Sequence, residues 1–145
     1  MSLPFNVRVY GILIDGNRLL VSDEKHRDIS FTKLPGGGLQ FGEGTVDCLK
    51  REFLEETGLE VEIISHFYTV DFFQPSAFNP QQQVISIYYV VKLTTELSED
   101  PTINIQNEHG LRWVALHELS AETFSLPIDR HIVPMILEKF LGGGL

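Results

Sequence analysis

The segment Arg51-Glu52-Phe53-Leu54-Glu55-Glu56 brings three carboxylates into a single helical turn and a half, if the chain is helical there. At about 100° per residue, Glu52, Glu55 and Glu56 share an arc of about 100°. Glu52 and Glu56 are spaced i, i+4, and Glu52 and Glu55 i, i+3, so their carboxylates converge. Like charges so placed repel by about 3 kcal/mol per pair at an effective dielectric of about 20. Solvated helices usually dilute such a cluster with lysine, and only Lys50 and Arg51 lie nearby. Glutamate favours helices, so spacing alone is accounted for most simply by a solvated acidic face. Yet clustered carboxylate oxygens are also what hard divalent cations take as ligands.

The residues before this cluster add to the case. Gly36-Gly37-Gly38 lets bare backbone approach the helix, so that a glycine carbonyl can join the carboxylates as a donor. Glu43 stands at the helix entrance, where it can pair with Arg51 or serve the N-terminal dipole. Each piece alone is bland, a glycine turn and a capping acid; their combination is not. Other chemistry lacks a pattern. His26, His66, His109, His117 and His131 show no HExxH or other ligand spacing. No GxxxxGK[ST] occurs, which excludes a P-loop. Cys48 has no paired base and reads as a small packing residue. Phe31, Phe72, Phe73, Phe78 and Trp113 can stack on a base, yet aromatics are core more often than not. Lys33 and Arg8 are candidate phosphate contacts without a distinguishing pattern.

Written out, Gly37-x5-Glu43-x7-Arg51-Glu52-Phe53-Leu54-Glu55-Glu56-Thr57-Gly58-Leu59 resembles the Nudix box of the Nudix hydrolases at every fixed position. Phe53 is the soft departure, since the family usually has an aliphatic residue there. LPGGG upstream and LRWVALHEL downstream are similar to further family landmarks, so the resemblance spans most of the chain. It implies an α/β/α sandwich with a mixed β-sheet, the box forming a loop-helix-loop, and residues 1–145 as one domain. It implies Glu52, Glu55 and Glu56 as ligands of Mg²⁺ or Mn²⁺, with the Gly37 carbonyl as a further donor. Arg51 and Glu43 match the pair that orients those carboxylates. Glu108, in Asn107-Glu108-His109, is the candidate for the family's glutamate outside the box, as ligand or base; a loop glutamate in water is the plain alternative.

The implied activity is hydrolysis of a pyrophosphate bond in a nucleoside diphosphate linked to another group. Candidate substrates are ADP-ribose, a nucleoside triphosphate, a dinucleoside polyphosphate or a nucleotide sugar. Pro75, sixteen residues past Leu59, lies near where ADP-ribose-cleaving members often have proline, though loops commonly hold one. The competing implications are a non-catalytic Nudix domain that senses a nucleotide and an isomerase of isoprenoid diphosphates. The intact glutamates, Arg51 and Glu43 argue for the enzyme.

The elements that must position these residues can be read from pattern. Asn6 to Ile14 reads as a strand, Asp15-Gly16-Asn17 as a turn, Arg18 to Ser22 as the return strand and Asp23 to Ser30 as a loop. Leu34 to Gly38 should break regular structure. Thr45 to Thr57 reads as a helix, with Thr45 as N-cap, Val46, Leu49, Phe53 and Leu54 facing the core, and Gly58 as a left-handed cap. Strands are expected in Glu60 to Phe73, Gln83 to Thr94 and Leu111 to Leu116, with a loop from Gln74 to Gln82. Ile128 to Leu141 reads as helical, with Pro134 in its first turn or at a kink.

At 145 residues the chain has the length of one domain with a sizeable core. Its hydrophobic share of 43% and charged share of 21% are those of a globular protein, and no apolar run is long enough to span a membrane. A net charge of −9 argues against coating nucleic acid or an anionic membrane and suits a holder of divalent cations. One cysteine excludes an internal disulfide, and no secretory signal is visible, so a cytoplasmic protein is expected. The apolar stretch Val84 to Leu93 could leave a sheet edge to cover, and a homodimer is compatible with that.

Overall fold

A computed structural model describes residues 4–94 and 110–142 of the chain. In order these are β1 (Phe5–Asp15), β2 (Arg18–His26), β3 (Ile29–Lys33), β4 (Gly36–Gly38), α1 (Thr45–Thr57), β5 (Val61–Thr69), β6 (Gln83–Leu93), β7 (Leu111–Ala115) and α2 (Pro127–Leu137). The strands form one mixed sheet in the order β3-β2-β1-β6-β5, with β4 paired to β1 and β7 to β2. β1 and β6 run parallel; the other pairs are antiparallel.

Alternation along β1 and β2 divides the core into two layers. Val9, Leu13 and Leu20 pack with Cys48, Leu49 and Phe53 of α1. Tyr10, Ile12, Leu19 and Val21 pack with Ile128, Ile132, Val133 and Ile136 of α2. The result is the α/β/α sandwich expected from the sequence.

Several local expectations change. The polar stretch after Ser22 is strand to His26, turning through Arg27 (φ 58°) into β3. Its charged residues line an open groove, so the stretch lacks the apolar alternation that marks a buried strand. The glycine segment also pairs, Val9 lying opposite Gly37 on β1. Gly44, not Thr45, is the N-cap of α1, and the Thr45 hydroxyl instead meets the Tyr89 hydroxyl at 2.7 Å. Val46 and Leu54 are exposed, and the buried face is Cys48, Leu49, Phe53 and Thr57. β6 lies between β1 and β5, so its apolar residues are interior and leave no edge to cover. Pro134 sits inside α2, whose first position is Pro127, and the chain continues as a π-helical turn over Glu138–Gly142.

Candidate functional site

The burial of Leu49 and Phe53 fixes the rotation of α1, and with it the placement of every glutamate on that helix. Gly58 closes the helix at φ 74°, its N–H donating to the Leu54 carbonyl at 2.9 Å. A side chain would resist that left-handed backbone. With Phe53 turned down onto Gly11, Glu52 and Glu56 look across at β4, while Glu55 points outward. A methyl group on Gly37 would collide with the Glu52 carboxylate, so only glycine lets that carboxylate lie against the loop backbone. Glu56 accepts from the Gly36 N–H at 3.0 Å.

Arg51 ties these parts together. Its Nη2 donates to Glu43 at 2.7 Å and to the Gly38 carbonyl at 3.2 Å, and its Nη1 reaches Glu55 at 3.3 Å. The hydrogen bonds from Arg51 hold the Glu43 carboxyl well below its ordinary range, at about 2. Glu43 reciprocally raises the Arg51 pKa. Cys48 Sγ lies 3.6 Å from the Gly38 carbonyl, and burial pushes its pKa up to about 11. That is an inert thiol filling the space beneath the loop.

The groove in front of Glu52 and Glu56 has a volume of about 930 Å³. Arg8, Glu24, Phe31, Lys33 and the three glycines of β4 complete its walls. Lys33 is nearly fully buried and forms ion pairs with Glu24 at 2.9 Å and Glu56 at 3.3 Å. Burial opposes its charge, but Glu56, Tyr10 and Glu24 outweigh burial and raise its pKa. Glu56 is shifted up by burial, with the neighbouring Glu24 carboxyl adding to the effect. Arg8 donates to the Tyr10 hydroxyl at 2.6 Å.

A smaller recess of about 90 Å³ shares Arg8 and Lys33 with the groove and is floored by Tyr88 and Asp129. Tyr88 donates to Asp129 at 2.5 Å. Phe78, on the rim, packs its ring 5.3 Å from that of Phe31.

The structure brings Glu52, Glu56, Gly37, Arg51 and Glu43 together and leaves Glu55 at the edge, on Arg51. Among the described residues no three His, Cys, Asp or Glu side chains form a ready-made metal cage. Glu108 lies outside the described residues; Gly110, two residues on in the sequence, lines the groove and accepts the Asp23 N–H at 3.1 Å. His26 packs on Phe78, His66 bonds Thr69 and His131 packs on Phe72, and all three are exposed. Trp113 lies under Arg18, away from the groove, with its Nε1 buried and unbonded.

Sequence reasoning missed Glu24 and Asp129 and could not single out Lys33. Glu24 was recoverable by continuing the two-residue alternation from Leu20 through Ser22, which places all three on the α1 side. Asp129 carried no such signal, because a polar residue near a helix start ordinarily faces water.

The family model for the NUDIX domain matches residues 4–136. An RNA pyrophosphohydrolase of Bartonella clarridgeiae is 28% identical over 142 residues, covering 86% of this chain and 79% of that one. Among solved structures, a NUDIX hydrolase from Nitrosomonas europaea superposes with a TM-score of 0.72 at 18% identity, covering 93% of this chain and 90% of that one. A MutT protein from Methanosarcina mazei Go1 gives 0.69 at 19% identity, covering 96% and 97%.

Proposed function

The chain belongs to the Nudix family, and we propose that it is a divalent-metal-dependent pyrophosphohydrolase acting on a nucleoside diphosphate joined to a further group. One observation carries the reading: the Glu52 carboxylate lies against Gly37, in a space that a single methyl group would fill. That close approach puts a carboxylate against the loop backbone in the wall of the groove, where the Gly37 carbonyl is the further donor this reading calls on. Both are hard oxygen donors, and Glu56 lies on the same wall, so the residues fit Mg²⁺ or Mn²⁺. Glu55 joins them by turning from Arg51, and Glu108 remains the candidate outside the helix.

A bound divalent ion supplies charge neutralisation and a water of lowered pKa. The protein's own residues do the rest. Arg51 and Glu43 hold the loop and helix in register. Arg8, held on the Tyr10 hydroxyl, offers a cation to the phosphate oxygens in a groove that also carries Asp23, Glu24, Glu52 and Glu56, and positioning dominates such catalysis. Glu55 or Glu108 takes the proton from the attacking water. Phe31 and Phe78 offer apolar faces to a nucleobase, and the recess at Asp129 offers it a carboxyl.

The substrate class is a small nucleotide. An RNA bearing a 5′-polyphosphate is the second reading, favoured by the similarity to the Bartonella clarridgeiae protein and opposed by a net charge of −9. The test is release of phosphate or mononucleotide from a panel including ADP-ribose, nucleoside triphosphates, nucleotide sugars and such an RNA, with and without Mg²⁺. Metal-dependent turnover of at least one member is expected. Tight binding without turnover of any member would instead make this domain a nucleotide sensor.

A further inference from the structure

The Lys33 ammonium sits among oxygen atoms, with the Tyr10 ring centroid 5.5 Å away on a further side. Glu24 Oε2 is 2.9 Å away, the Leu34 and Gly36 carbonyls are each at 3.1 Å, and the Glu56 oxygens are at 3.3 and 3.4 Å. The lysine cannot drift away, because its backbone is fixed by the pairing of β3 with β2, opposite Ser22, and its side chain is 4% exposed. Glu24 is held in turn by the Ser22 hydroxyl at 3.0 Å. Glu56 therefore faces two claimants, a tethered monovalent cation on one side and the groove on the other.

We propose that Lys33 is a positioning residue that competes with the divalent cation for Glu56, with Glu24 as the acceptor that takes the ammonium when the metal binds. This rests on the reading of Glu56 as a metal ligand. Two cations sharing one carboxylate repel, and in a partly buried site the repulsion is only weakly screened. Glu24 offsets it by holding the ammonium from the far side. The Glu24–Lys33–Glu56 bridge thus sets the metal concentration at which the site fills.

A lysine that merely orients Glu56 would act in the opposite direction, since its removal would then weaken metal binding. The sign of the change separates the two roles. Mn²⁺ binding to the full chain, followed by calorimetry, is compared for the parent, Lys33→Gln, Glu24→Gln and the double variant. Gln at position 33 keeps a donor for the loop carbonyls while removing the charge.

Lys33→Gln should bind Mn²⁺ at least about tenfold tighter, the change that removing a unit charge near a divalent ion gives even at the dielectric of bulk water. Glu24→Gln should bind it several-fold more weakly, and that weakening should shrink when Lys33 is already Gln. Unchanged or weaker binding by Lys33→Gln overturns the proposal. If Lys33→Gln does not fold, Glu24→Gln decides alone, and unchanged affinity there overturns it. Glu52→Gln serves as the separate control. If Mn²⁺ binding to the parent does not depend on Glu52, the metal site itself has been misassigned.

Discussion

The Arg51 guanidinium grips Glu43 by both carboxylate oxygens, Nη2 to Oε1 at 2.7 Å and Nε to Oε2 at 3.0 Å. This fork joins the loop before α1 to its second turn, and the same guanidinium reaches the Gly38 carbonyl. Lysine cannot reproduce a two-pronged contact. Arg51→Lys and Glu43→Gln should each lower kcat/KM by about 10- to 100-fold, as loss of an outer-shell partner of a metal site commonly does. Steady-state rates at saturating Mg²⁺ check this. Parental rates in both variants would show that the fork is structural decoration.

Glu52→Gln and Glu56→Gln should lower the rate by about 10²- to 10⁴-fold and raise the Mg²⁺ needed for half-maximal activity. Glu55→Gln should be severely slowed through ligation or proton transfer, and Glu108→Gln slowed comparably or less. Losing a charge relieves repulsion along the helix, so Glu52→Gln should melt no lower than the parent in EDTA. Melts in EDTA beside rates in Mg²⁺ test both halves. Near-parental rates and metal dependence for Glu52→Gln and Glu56→Gln would remove this helix as the metal site.

Gly37→Ala should separate packing from charge. Its Cβ has no room unless the Glu52 carboxylate moves, and overpacking of this kind commonly costs about 1–3 kcal/mol. The variant should therefore melt lower and also need more Mg²⁺. Adding Glu52→Gln should recover little of the stability, because the amide is as bulky as the carboxylate. Calorimetric melts of the single and double variants measure that coupling.

The reach of the sequence follows from how each signal is encoded. The glutamate-bearing helix is written in local spacing and a terminal glycine, both of which survive folding unchanged. Leu49 and Phe53 are read correctly as core, but Val46 and Leu54 are not, because Cys48 and Thr57 take the buried positions beside them. β2 beyond Ser22 shows no apolar alternation because its partners are polar: Asp23 bonds Thr32 and Arg112, and Glu24 bonds Lys33, so only the register carried on from Leu20 and Ser22 points to it. The Glu24–Lys33–Glu56 bridge joins three elements, so no window of sequence contains it.

Asp129 should leave a signature in the pH dependence of stability. Its side chain is 2% exposed, and burial pushes its pKa up to about 6 from an ordinary value of 3.8. The Tyr88 hydrogen bond and the charges of Lys33 and Arg8 pull the other way without cancelling burial. A folded pKa above the unfolded one means that the folded state binds the extra proton. The associated stability is complete below pH 4 and is lost as pH rises through about 6. Two pKa units correspond to about 3 kcal/mol. Asp129→Asn cannot ionise, yet its carbonyl can still accept from Tyr88. Other groups titrate in the same range, so the informative quantity is the difference between the two proteins. The parent should lose about 3 kcal/mol relative to Asp129→Asn between pH 4 and pH 7, measured by urea unfolding at each pH. Parallel stability curves would show that the Asp129 carboxyl is already ionised in the fold across that range, stabilised by Arg8 and Lys33 more strongly than burial opposes it.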